Sequence, residues 1–468
     1  MLTFAFRNNA KIATVNEANS VASPGRCGLT LGVLLIYCLL FSSLWGKSCL
    51  YTLNRYVWRV QMAVVVATVI VGVLYRVLKR SQLRTCQYGS ELPLQIKTCL
   101  AGLLFVSITT CVAQEDPLGN LAFLVVFAGM AYLLCVSGAD LMRGISPERC
   151  IDIALLPLGF MAIASVASLM GGYSWSTSQL ISAFRFNGLY SDAIVAGQMF
   201  GLTCLLLFWR ILNTRSKKVW AYWALLPIAI LCLVLTRTRT DIFGSVIGII
   251  VCLFATMRSS MTAMPRRRAR VILGLLVLIM VISSVWLTRP GIDTGRAMEH
   301  LRVTGDYEDI LGNRIEYWRR GVGNLSITNM LGEGPLAKFG GELSSKSSTY
   351  DRELNRHNAF LSVFQSYGWP GGILFIIFLV SVGGTFLKRK DSYAVLGLSL
   401  LAFGLVQSIS ENWLLSFGTP LDAYSWFILG VTLTQGPSKS RCGMNDNTQQ
   451  NLVDWRTQLC LSPYSFRR

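Results

Sequence analysis

The sequence predicts an all-α fold, a polytopic integral membrane bundle of about twelve transmembrane helices with one large hydrophilic loop late in the chain. Three observations predict it. Of 468 residues, 53% are hydrophobic and only 14% charged, with a mean hydropathy of +0.49, whereas a soluble chain carries about a quarter charged residues. Runs of about twenty apolar residues recur from end to end, and each spans roughly 30 Å of hydrocarbon as a helix. Lysine and arginine cluster in every second connection, the pattern that sets orientation in a membrane.

The spans fall at about 28–46, 57–78, 94–113, 118–138, 151–171, 191–209, 219–235, 240–257, 271–288, 358–387, 393–410 and 419–435. Residues 1–27 are mixed and polar and lack the apolar core of a signal peptide, so they are expected to form a short inner tail. Basic residues occupy the alternate connections: Lys79, Arg80 and Arg84; Arg143 and Arg149; Arg210, Arg215, Lys217 and Lys218; Arg258 and Arg266 to Arg270; Lys388 to Lys390. All lie on one side when the N-terminus is inside, which also puts residues 436–468 inside as a polar tail. The net charge of +19 is thereby absorbed by topology, and nucleic acid is not an implied partner. Thirteen cysteines are scattered through apolar runs without a CxxC or Cys/His spacing, which points to small hydrophobes and to no metal or disulfide framework.

The tenth run is too long for one straight span. Gly368, Pro370, Gly371 and Gly372 interrupt it, since proline breaks the helix ladder and glycine loosens it. A short helix at about 358–367 is expected at the outer surface, with the true span from 371.

The large loop, 289–357, holds ten basic residues, ten acidic residues and both histidines, His300 and His357. It ends in Asn355-Arg356-His357-Asn358 where the chain re-enters the membrane. His357 is the candidate for proton chemistry: imidazole titrates near about 6.5, and a helix N-terminus disfavours its charged form. Glu353, one turn away, would act against that. An isolated histidine is more often structural, and His300 is left so.

Arginines on the outer side break the orientation rule and are therefore informative. Thr236-Arg237-Thr238-Arg239-Thr240 is a minimal outer turn. A guanidinium there offers planar paired donors suited to phosphate, against the alternative of snorkelling to lipid headgroups. Arg185, before the sixth span, and Arg314, in the loop segment Gly312 to Trp318, are weaker candidates of the same kind. Ile315, Trp318 and Val322 give that loop segment one apolar face at helical spacing. Gly332-Glu333-Gly334-Pro335 reads as a structural turn.

Together these residues resemble the O-antigen ligase and polymerase superfamily of bacterial membrane glycosyltransferases. Arg356 to Leu361 running through Gly368-Trp369-Pro370-Gly371 resembles its His-Asn signature. Thr236 to Thr240 resembles its Ser-Arg-Thr turn, Gly312 to Trp318 its Gly-Arg-x-x-x-Trp segment, and Leu331 to Gly334 its Leu-Gly-x-Gly turn. Ser410-Glu411-Asn412-Trp413 is similar to exopolysaccharide polymerisation proteins of the same superfamily. Two departures are visible: the family's Asn-Pro-Asn element after Arg185 is here Ser191-Asp192-Ala193, and the turn carries two arginines, of which Arg239, followed by Thr240 and an apolar run, fits the family's better.

The resemblance implies a GT-C-like fold in the bacterial inner membrane, with the large loop periplasmic and the active site on that face. It implies an undecaprenyl-pyrophosphate-linked oligosaccharide as donor, used without metal or cofactor. It implies that Arg239, Arg237, Arg314 and Arg185 bind the pyrophosphate and that His357 activates the acceptor hydroxyl. Glu411, Arg356 and Asn358 are implied as acceptor or supporting residues, and a chain-length regulator and a flippase as candidate partners. Polymerase is the expected activity, with ligation onto lipid A core the nearest alternative. A transporter is the rival from another class. It is disfavoured because the spans carry little central charge (Lys97 is an exception).

Overall fold

The computed structural model describes residues 92–114, 117–137, 146–170, 186–190, 192–214, 219–236, 238–258, 330–334, 358–411, 413–414 and 420–434, with isolated positions at 36, 40, 66, 67, 70, 71, 74 and 322. The described residues form helices and no strands. In chain order these are α1 (Leu94–Ala113), α2 (Pro117–Ala131, continuing into a π-helical turn at Tyr132–Ser137), α3 (Pro147–Met170), α4 (Ala193–Asn213), α5 (Val219–Leu235), α6 (Arg239–Arg258), α7 (Ala359–Lys388), α8 (Ser392–Ser410) and α9 (Pro420–Thr434). Each lies on an expected span and differs from it by a few residues at most. The expected spans at 28–46, 57–78 and 271–288 and the two tails lie outside the described residues, single positions apart. So does the large loop, except for Val322 and the turn at 330–334.

Among the described residues, six helices, α1, α3, α4, α6, α7 and α8, are long and apolar enough to cross a membrane, and α5 is a shorter apolar helix. These are the features of a multi-pass membrane protein. Packing sorts the helices into an enclosed centre and a ring. Nearly all of α4 is buried, and α9 is buried from Pro420 to Leu433. By contrast α1, α3 and α7 expose large apolar side chains such as Phe105, Phe160 and Val380. An exposed face of that composition is stable against acyl chains, and backbone groups inside it are satisfied within each helix. Small residues set the closest crossings. Gly197 and Gly201 of α4 face the start of α6, and Gly244 and Gly248 of α6 face α8, each pair one turn apart.

The direction of the helices separates two sets of charges. α4, α6 and α7 begin at one end of the bundle, where α8 finishes. At the opposite end lie Arg210, Arg258 and Lys388 to Lys390. Arg210, read from sequence as a connection residue, is the last-turn arginine of α4 and is buried. It donates through Nε and Nη2 to the two carboxylate oxygens of Asp152 at 2.8 and 3.0 Å, and to the Tyr222 hydroxyl at 3.1 Å. One guanidinium therefore ties together α3, α4 and α5. Trp209 beside it donates to the Ser392 carbonyl at 2.7 Å, which adds α8 to the same knot. Lys97, counted from sequence as a charge within a span, is exposed in the first turn of α1. An end position lets its ammonium leave the hydrocarbon.

Candidate functional site

At the end of the bundle opposite Arg210, three helices present their N-termini together. The last turn of α8 is the hub. The Gln407 amide donates to the carbonyl of Thr240 in the first turn of α6 at 3.5 Å. The Asn358 amide donates to the Ile409 carbonyl at 3.3 Å. Asn358 is itself the N-cap of α7, its side-chain oxygen accepting from the Leu361 N–H at 3.0 Å. Asp192 caps α4 in the same manner, accepting from the Ile194 N–H at 3.1 Å. Gly197, one turn into α4, lies against the side chains of Thr238 and Asp241. The N-terminus of a helix carries about half a positive charge and unsatisfied N–H groups. Three such ends in one place make a field that favours an anion.

Arg239 opens α6 in this cluster and is exposed. Glu411 ends α8, half-buried, its N–H donating to the Gln407 carbonyl at 2.7 Å. The structure thus brings Arg239, Asn358 and Glu411, all named from sequence, to one end of the bundle. Arg185, Arg237, Arg314, Arg356 and His357 lie outside the described residues. Two of them have described neighbours at this end. Phe186, which follows Arg185, donates its N–H to the carbonyl of Leu235, just before the arginine turn, at 3.2 Å. His357 directly precedes the Asn358 cap.

Sequence reasoning missed Asp241. It is fully buried in the first turn of α6, with both carboxylate oxygens closed off from solvent. Thr238 and Gln407 are its polar neighbours, and the charges of Glu411 and Asp192 act on it. The dipole of α6 favours negative charge there and offsets part of the burial cost. The visible signal was an ionisable residue one position inside the apolar run at 240–257. Among the described residues, no group of three or more His, Cys, Asp or Glu side chains is placed to hold a metal ion.

The kink expected in the tenth run is present, and it explains the glycine turn before it. Gly368 sits at φ 67° within α7, and Pro370 follows two residues later. The break leaves the Gln365 carbonyl without its partner, and Pro370 has no N–H to offer Ser366. The turn at 330–334 supplies both missing donors: Glu333 N–H reaches the Gln365 carbonyl at 2.7 Å and Gly334 N–H the Ser366 carbonyl at 3.0 Å. The far side of the turn is held by α1, through Thr110 to the Leu331 carbonyl at 2.7 Å and Gln114 to the Gly332 carbonyl at 2.8 Å. The Glu333 carboxyl is exposed yet crowded, and desolvation raises its pKa above the ordinary carboxylate value. The half-helix carrying Asn358 is therefore aimed by a lock between α1, the turn and the kink.

That lock makes a prediction of sign. A Cβ at Gly368 would meet the Met330 carbonyl oxygen at 1.9 Å, and φ there is left-handed. Gly368→Ala should cost at least about 1–2 kcal/mol from the backbone alone, with the clash added. Gly384, in the same helix with nothing within 4 Å of its Cβ position, should instead gain up to about 1 kcal/mol as alanine. Thermal unfolding in detergent compares the two; equal effects would remove the lock.

Residues 224–376 match the family model described as O-antigen ligase. The matched stretch takes in the Arg237 and Arg239 turn, Arg314, the turn at 330–334, Arg356-His357-Asn358 and the kink, and leaves Arg185 and Glu411 outside it. No curated protein matches the chain. The family match, which takes in the arginine turn, the Gly312 to Trp318 segment, the 331–334 turn and the His-Asn signature, supports the O-antigen ligase and polymerase superfamily.

Proposed function

We propose that the chain is a polymerase of surface polysaccharide, O-antigen or exopolysaccharide, in the bacterial inner membrane, with both termini cytoplasmic and its site on the periplasmic face. It moves a glycan from undecaprenyl pyrophosphate to the hydroxyl of an acceptor sugar. The observation that supports this most is the convergence of three helix N-termini around the exposed Arg239, within the stretch that matches the O-antigen ligase family.

In this reading the polyprenyl tail lies among lipid-facing helices and the pyrophosphate meets the N-termini of α4, α6 and α7. Arg239 and Arg237, with Arg314 and Arg185, pair with its oxygens. Pyrophosphate is already a good leaving group, so the remaining task is to stabilise charge on the departing oxygen. Fixed donors in a partly dehydrated site do so without reorganising during the reaction. The acceptor oxygen bonds to the anomeric carbon as the carbon–phosphate oxygen bond breaks. The proton passes to His357, and undecaprenyl pyrophosphate leaves as the anion. Attack opposite the leaving group inverts the anomeric centre. Asn358 and Arg356 support His357, and Glu411 faces the acceptor.

The description of the matching family favours a second reading, a ligase that uses the same donor chemistry with lipid A core as acceptor. A deletion strain separates the two on a polysaccharide gel. Polymerase loss leaves single repeats attached, as expected here. Ligase loss leaves unattached polymer, which would assign the second reading. An unchanged ladder would contradict both.

A further inference from the structure

Beyond α8, Trp413 and Leu414 are fully buried and held by one face of α9. Leu414 has φ 65°, and among the described residues no other non-glycine residue has a positive φ. A left-handed backbone crowds the Cβ of such a side chain and persists only where the surroundings impose it. Here Leu414 is fully buried and gripped at both backbone groups. Its N–H donates to a carboxylate oxygen of Asp422 at 2.6 Å, and its carbonyl accepts from the Trp426 indole at 2.8 Å. Trp413 donates to the Ser425 hydroxyl at 3.0 Å, and its ring fills the space where Gly404 of α8 has no side chain. Residues 422, 425 and 426 share one face of α9 by helical spacing. An acidic residue in a first helical turn ordinarily serves the helix dipole. Asp422, fully buried, instead reaches across to the strained residue.

Glu411, the C-cap of α8, stands three residues before Leu414 in the sequence. Glu411 is continuous with the last turn of α8, where Gln407 meets α6 and Ile409 meets Asn358. A shift of Leu414 out of its left-handed state would swing the chain direction next to that junction.

We propose that Asp422 is a positioning residue for the acceptor: its buried carboxylate holds Leu414 in the left-handed conformation and thereby fixes Glu411 beside the three helix N-termini. The inference rests on the transferase reading above. Its test uses the full-length protein in detergent, with undecaprenyl-pyrophosphate-linked glycan as donor and a fluorescent lipid-linked glycan as acceptor. Amide exchange of the peptide spanning 411–414 is read in parallel. Asp422→Ala should speed exchange in that peptide and raise the acceptor KM about tenfold, more than it lowers kcat. Asp422→Asn keeps an acceptor oxygen for the Leu414 N–H and should restore both. In the double variant Asp422→Ala with Leu414→Gly, glycine adopts the left-handed state unaided. It should regain part of the acceptor affinity, although it deletes a buried side chain. A merely structural role predicts the reverse, a double variant worse than the single one, and that result overturns the proposal. So does unchanged exchange in Asp422→Ala, or faster exchange with an unchanged acceptor KM. A wild-type protein inactive with every lipid-linked glycan overturns the transferase reading and the positioning role together. Equal activity in wild type and Asp422→Ala overturns the positioning role alone.

Discussion

Replacing Arg239 by alanine is expected to lower glycan transfer by about 10²–10³-fold, the size seen when one preorganised donor to a developing negative charge is removed. The residue stands first in α6, exposed, beside the capped starts of α4 and α7. The surrounding N-termini supply partial charges, but the guanidinium supplies the full one, with paired donors matched to phosphate oxygens. Arg239→Lys should therefore recover only about a tenth of the activity, since an ammonium keeps the charge and loses the fork. Because Arg239 is exposed and N-terminal, neither change should disturb folding by more than about 0.5 kcal/mol. Transfer measured with membrane-embedded variants of matched abundance checks this. Full activity in Arg239→Ala would move the phosphate contact elsewhere.

His357→Ala is expected to reduce transfer by about 10²–10⁴-fold, the range of general base catalysis. The histidine precedes Asn358, whose two hydrogen bonds fix the start of α7 and join it to the end of α8. Donor binding should survive the change, because the pyrophosphate is assigned to arginines. Retained binding of undecaprenyl pyrophosphate with lost transfer separates a base from a binding residue. Normal polymer length from this variant would remove the base assignment.

The helices were legible because an apolar run of membrane length has few other uses. The span expected at 94–113 is found as Leu94–Ala113, and the break expected near Gly368 and Pro370 is there. Arg239 and Asn358 stood out as polar residues at the mouths of such runs. Pairings between distant residues were not legible. Nothing in Gly332 to Gly334 announces that its N–H groups repair a kink more than thirty residues later, since the missing donors appear only once α7 is bent. Arg210 looked like one more charge in a basic connection. Its burial depends on Asp152, in an earlier helix. Asp241 and Asp422 were passed over because a carboxyl at the start of a span reads as a helix-end residue. Both are distinguished by what surrounds them, a close glycine for one and a strained backbone for the other.

In the proposed reaction, fixed arginines and helix N-termini manage the pyrophosphate charge at the membrane surface. The most direct measurement is glycan transfer by the purified protein from undecaprenyl-pyrophosphate-linked repeat units, with chelator present and no metal added. Elongation at an undiminished rate is expected. Transfer that appears only when a divalent cation is restored would contradict it.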